Sequence, residues 1–187
     1  NNHTNNTNNY TYDNSVTNNV IVNNYGNEDM SFIKNGILEY KNFITSVLKQ
    51  GLPGLQEYIN YKYCNSKHKE NLTIKYTNKR QKDIFIRKNN KWISKNKNEI
   101  MSEIYNWDKN VEEVLNIYER VFDIKDSDNM DDLQANFVNS LESVYFDNNN
   151  NDNNNNNNSN ILEKAKQGTL NKLYDCYVNN KEKYKEL

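Results

Sequence analysis

Asparagine, more than any apolar pattern, decides where this chain can build a core. Its 187 residues include 42 asparagines, and two tracts concentrate them. Residues 1–19 read NNHTNNTNNYTYDNSVTNN, and Asn148–Asn160 read NNNNDNNNNNNSN. Neither stretch holds enough apolar surface to offset the entropy lost on ordering it. A core must therefore come from the sequence between and after them. The tracts also explain an apolar share of 35%, below the ~45–50% of ordinary globular domains. No apolar run approaches the ~18–20 residues of a membrane span. Two cysteines, Cys64 and Cys176, are too few for a disulfide scaffold and suit a reducing compartment. The first residue is Asn1 inside a polar tract, which reads as a piece of a longer protein. Abundant Asn, Lys, Ile and Tyr follow the codons of an A/T-rich genome, a plain compositional cause for much of the asparagine.

The expected organisation is an Asn/Thr arm over 1–22, a domain over 23–147, an Asn-rich surface loop over 148–160, and a C-terminal helix over 161–187 that packs on the domain. Within the arm, Val16, Val20 and Val22 have the spacing of one strand face. Two readings stand side by side: a flexible linker, or a segment that pairs with copies of itself and makes a homo-oligomer. Asn23-Asn24-Tyr25-Gly26-Asn27 is turn chemistry, and residues 29–34 suit a short helical turn.

Ile37, Tyr40, Phe43, Ile44, Val47 and Leu48 recur at helical steps and stop at Gly51. Pro53 suits the first turn of a second helix carrying Leu55, Tyr58 and Ile59. Leu72, Ile74 and Tyr76 alternate, Ile84 and Ile86 alternate, and Trp92-Ile93 follows an Asn89-Asn90 turn, which predicts an antiparallel three-stranded meander. From Glu99 to Phe122 the apolar spacing is helical, and Trp92 and Trp107 fall in phase as core. A further helix carries Leu133, Phe137, Leu141 and Val144 with Asp128 as N-cap. The last carries Ile161 through Tyr177, with Gly168 a weak point inside it. Helices, strands, then a C-terminal helical bundle predict an α+β fold.

A formal net charge of −1 hides a strong asymmetry. Residues 62–97 hold Lys62, Lys67, Lys69, Lys75, Lys79, Arg80, Lys82, Arg87, Lys88, Lys91, Lys95 and Lys97 against Glu70 and Asp83. Residues 98–147 are acidic by about four to one. Tyr61, Tyr63, Tyr76, Phe85 and Trp92 are interleaved with the cations. Cations neutralise phosphates and exposed rings stack on unpaired bases, so the meander is a candidate DNA or RNA surface. The candidate contacts are Lys75, Lys79, Arg80, Lys82, Arg87, Lys88 and Lys91. Two plainer readings compete: the basic strands pair with the acidic helices, or their lysines guard the sheet against edge pairing.

Cys64 and His68 have a zinc-like spacing, but the other such residues, His3 and Cys176, are remote in sequence and in unrelated contexts. No metal site and no cofactor are expected. No nucleophile with an adjacent base, phosphate-binding glycine loop or carboxylate pair stands out.

Val22-Asn23-Asn24-Tyr25-Gly26-Asn27-Glu28-Asp29, Gly51-Leu52-Pro53-Gly54-Leu55 and Asn65-Ser66-Lys67-His68-Lys69-Glu70-Asn71-Leu72-Thr73-Ile74 occur in order, followed by Asn78-Lys79-Arg80 and Trp92. Together they resemble a family of uncharacterised proteins of giant DNA viruses, the mimivirus group and its relatives, over about residues 20–110. The resemblance implies a domain that follows a C2H2-type zinc finger and an Asn-rich connector, inside an infected cell or virion rather than secreted. Lys69 stands where that family has proline. His68, Glu70 and Asn71 fit its motif, either as site residues or as a turn that positions the first strand.

The function expected from sequence is a non-enzymatic accessory protein, an interaction and oligomerisation module linked to nucleic-acid binding. Direct nucleic-acid binding by the meander is the second reading. A nuclease built on His68, Glu70 and Asn71 is the third.

Overall fold

The computed structural model describes residues 22–124, 130–146 and 155–187. It is α+β: two helices, a three-stranded antiparallel sheet, then helices. The expected arm apart from Val22, residues 148–154 of the expected loop, and the expected cap Asp128 lie outside the described residues.

Helix α1 (Leu38–Gln50) turns Ile44, Val47 and Leu48 inward, the stripe that three- and four-residue spacing produces. At Gly51 the backbone takes φ 61°, a region open to glycine without steric cost. The chain then enters α2 (Leu52–Cys64) with Pro53 in its first turn, where the missing N–H has no intrahelical role. Leu55, Tyr58, Ile59 and Tyr63 of α2 are fully buried. Each such aliphatic side chain contributes about 1.5–3 kcal/mol relative to exposure, so α2 is the axis of the core. Residues 29–34, expected to add a helical turn, form turns only, with Ile33 buried beneath them.

A 3-10 turn (Lys69–Asn71) leads into strand β1 (Ile74–Lys75), followed by β2 (Asp83–Lys88) and β3 (Lys91–Asn96). All pairings are antiparallel, in the order β1-β2-β3. The register sets Ile74 opposite Ile86 and Lys75 opposite Phe85; across the hairpin it sets Ile86 opposite Ile93 and Arg87 opposite Trp92. Asn89 and Asn90 both have positive φ, 50° and 60°, as the two-residue hairpin turns matched to strand twist require. Because side chains alternate across a sheet, Ile74, Ile84 and Ile86 face the helices and are buried. Lys75, Phe85, Arg87 and Trp92 share the opposite face.

The helical stretch expected from Glu99 to Phe122 is broken. It divides into α3 (Lys97–Ile104), a π-helical turn (Trp107–Val111) and α4 (Glu112–Phe122). Asn106 starts the new helix by accepting the Asp108 N–H through its side chain. Asn110 donates to the Ile104 carbonyl at 2.6 Å, satisfying a group the end of α3 leaves open. Trp107, expected in the core, is half-buried and packs on Tyr145 and Phe146 at the margin.

Helix α5 (Asp132–Tyr145) is capped by Asp131, not Asp128. Asp131 accepts the Gln134 N–H, and Gln134 returns a bond to the Asp131 N–H, a reciprocal capping box. Burial opposes the Asp131 carboxylate, but bonds from the Gln134 N–H, the Tyr118 hydroxyl and the Leu133 N–H outweigh it and hold the carboxyl below its usual value.

The expected loop over 148–160 is shorter than the sequence suggests, because α6 spans Asn155–Asn179. Once the 161–177 face has nucleated a helix, extending it through asparagine costs under about 1 kcal/mol per residue. Gly168 is a close approach rather than a weak point. A Cβ there would lie 2.3 Å from Nε2 of Gln56, which donates to the Ala165 carbonyl and ties α2 to α6. The C-terminal segment ends in a separate helix, α7 (Lys181–Glu186), after a break at Asn180.

Candidate nucleic-acid interface

The outer face of the sheet gathers rings and cations. Lys75 Nζ lies 4.4 Å from the centre of the Trp92 ring and 5.5 Å from that of Phe85. The Arg87 guanidinium carbon lies 5.5 Å from the same Trp92 ring. Trp92, expected in the core, is half-buried here because its position in the register is on the outer face. Cross-strand neighbours on one face lie within side-chain reach, and this is what assembles the cluster from β1, β2 and β3. Arg87 is 9% exposed, and its Nε has no hydrogen-bond partner. Burial, then the Arg87 charge, pushes the Lys75 ammonium below its ordinary value.

Of the remaining cations, Lys88, Lys91 and Lys95 fall by register on the Ile84 and Ile86 side of the sheet rather than on this face. Arg80 and Lys82 are exposed in the β1–β2 connection, Lys88 and Lys91 flank the hairpin turn, and Lys95 is exposed on β3. Lys79 sits 4.7 Å over the Tyr174 ring and 3.7 Å from Asp175. Lys97 donates to the Tyr76 hydroxyl. Among the described residues, the lysines and arginines of 62–97 that meet a carboxylate are Lys62 and Lys79.

Lys62 is the exception that supports pairing with the acidic helices. It is buried and bonds Glu113 of α4 and Asn110 of the π turn, with Glu28 at 3.9 Å. The wider π turn swings Asn110 inward to it, which no heptad-like reading of the sequence would show. Tyr184 was equally invisible. Tyr184 reaches the edge of the outer face, 6.0 Å from Trp92, and donates to the Ile74 carbonyl across 110 residues.

The motif residues meet, but not as a reacting constellation. His68 stacks flat on Phe32 at 3.5 Å and its Nδ1 lies 3.0 Å from Glu70. Asn71 is sealed at 1% exposure and faces the other way. Its Oδ1 accepts from the Asn23 side chain and the Asp29 N–H, and its Nδ2 donates to the Asp29 carbonyl. Glu28 accepts from the Thr73 hydroxyl and from the N–H of Gly26, whose φ of 91° needs glycine. Residues 22–29 and 65–74 thus form one hydrogen-bonded cluster. Its bonds run across about forty residues, not to local backbone alone. Replacing Asn71 with alanine removes the sealed amide that holds the Asp29 N–H and carbonyl and the Asn23 side chain, and is expected to cost about 1–3 kcal/mol by urea unfolding. A loss under about 0.5 kcal/mol would show that water replaces the amide.

Cys64 and Cys176, remote in sequence, share one small cluster with Leu72 and Tyr184. Their thiol–thiol hydrogen bond, with burial, pushes Cys64 up, and the same bond pulls Cys176 down. Among the described residues, no three His, Cys, Asp or Glu side chains converge as metal ligands; His3 lies outside them. No described helix is long and apolar enough to cross a membrane. Comparison with known proteins finds no matching family model, curated protein or solved structure.

Proposed function

We propose that this chain binds single-stranded nucleic acid through its basic three-stranded sheet, whose outer face carries the rings. The observation that carries the reading is the set of cations without carboxylate partners on the connections and both faces of the sheet whose outer face holds Trp92 and Phe85. Arg80, Lys82, Lys88, Lys91 and Lys95 are exposed, and none of them forms an ion pair with an acidic side chain among the described residues. Unpaired cations supply sequence-independent attraction to phosphates, and half-buried rings offer π-faces to unpaired bases. A duplex hides those base faces, so unpaired strands are favoured. The reading keeps the chain with the giant-virus proteins it resembles, where an upstream finger would act beside this surface. Self-association through the arm is not needed for it.

The test is anisotropy of a labelled oligothymidylate across a salt series. Changing Arg80, Lys82, Lys88 and Lys91 to glutamine is expected to lower the slope of log K against log salt by about three, at about 0.7 per phosphate contact. Wild-type binding that is absent, or a slope the four changes leave intact, would remove this reading.

A further inference from the structure

We infer that Arg87 and Lys75 form a phosphate-oxygen subsite at the edge of the Trp92 indole, occupied by one phosphate of a bound strand. The inference rests on the interface reading above and names where on that surface a phosphate is held.

Two features separate this pair from the surrounding lysines. Arg87 is nine-tenths buried, yet its Nε has no partner. A buried donor left open costs free energy that native structures seldom leave uncompensated. Arg87 and Lys75 also lie over one ring, and neither meets a carboxylate among the described residues. Like charges brought together at low exposure repel with little screening. An oxyanion between them would neutralise the pair and accept from the guanidinium, whose sealed Nε would need a small shift of the side chain to take part. The planar guanidinium fork matches phosphate geometry better than an ammonium does, and Lys75 adds a point charge.

The neighbours set what the subsite holds. Asp83, the acidic side chain on this strand, accepts the Ser94 hydroxyl at 3.1 Å. The backbone of Arg87 is already committed: its N–H donates to the Thr73 carbonyl, and its carbonyl accepts from the Tyr25 N–H. The side chain is therefore held by a fixed strand rather than by a loop, which suits recognition of one group in one place. Trp92 alongside supplies an apolar surface for the sugar or base next to that phosphate.

Trp107→Phe leaves Trp92 as the single indole of the chain, whose two tryptophans are these, and its emission then reports on the subsite. Oligothymidylate is expected to change that emission saturably, with inorganic phosphate competing at far higher concentration. Arg87→Gln and Lys75→Gln, each in the Trp107→Phe background, are expected to weaken oligothymidylate binding about tenfold or more, as loss of a charge-assisted bond predicts. Lys75 is half-buried, so its variant keeps the test valid should Arg87→Gln unfold. Binding unchanged in Lys75→Gln and in a folded Arg87→Gln would overturn the subsite while leaving the interface reading intact. Emission that responds to phosphate, is lost in the variants and ignores oligothymidylate would keep the oxyanion pair and dismiss a strand as its source. Silence toward both ligands would overturn both.

Discussion

Lys62→Met is expected to destabilise the protein by about 3–5 kcal/mol, the usual consequence of removing one partner from a buried ion pair. The side chain is 5% exposed, that of Glu28 is fully buried, and that of Glu113 is 27% exposed. Without the ammonium, Glu28 keeps its bonds to Gly26 and Thr73 but loses its counter-charge. Asn110 loses a donor at 3.1 Å. Equilibrium urea unfolding would measure the effect, and adding Glu28→Gln should recover part of it because the remaining charge is then gone. A single-variant loss under about 1 kcal/mol would mean the pair behaves as a solvated surface bridge. Lys62 belongs by sequence to the basic run but faces the helices. Its removal is therefore expected to leave the salt slope of strand binding unchanged in any variant that remains folded.

Gly54→Ala is expected to cost about 3 kcal/mol, the upper end for overpacking, although propensity alone favours alanine in a helix by about 1 kcal/mol. A Cβ at this position would lie 2.0 Å from the Val47 carbonyl oxygen and 2.7 Å from its carbon. Both are backbone atoms of α1, so the whole helix must move away and the Ile44, Val47 and Leu48 face opens with it. Gly168→Ala is the informative contrast, because its Cβ meets the far end of the flexible Gln56 side chain. That amide can swing aside for the loss of one hydrogen bond to Ala165, about 1 kcal/mol, which the gain in propensity offsets. Thermal midpoints should thus fall sharply for the first variant and hardly move for the second. Equal shifts would show that helix packing does not depend on Gly54.

Most of the secondary structure was legible because local rules set it. The Ile44–Leu48 stripe, Gly51 followed by Pro53, and the Asn89-Asn90 turn each act within a few residues. The errors arose where a side chain chose between equivalent local partners. Asp131 rather than Asp128 caps α5 because Gln134 lies three residues beyond it and returns the bond. The break at Asn106 was hidden because the apolar spacing continues through it, while the cap that causes it is a single asparagine among many.

By itself the sequence determined the α+β order, the hairpin turn and the contrast between a basic meander and acidic helices, all properties of adjacent residues. Which cations remain available was a tertiary decision. A strand's two faces see different environments, and only packing shows that Lys62 is buried against Glu113 while Lys75 and Arg87 share Trp92. Packing likewise split the motif, leaving His68 beside Glu70 but turning Asn71 away, because Asn71 spends its amide on a segment 42 residues away.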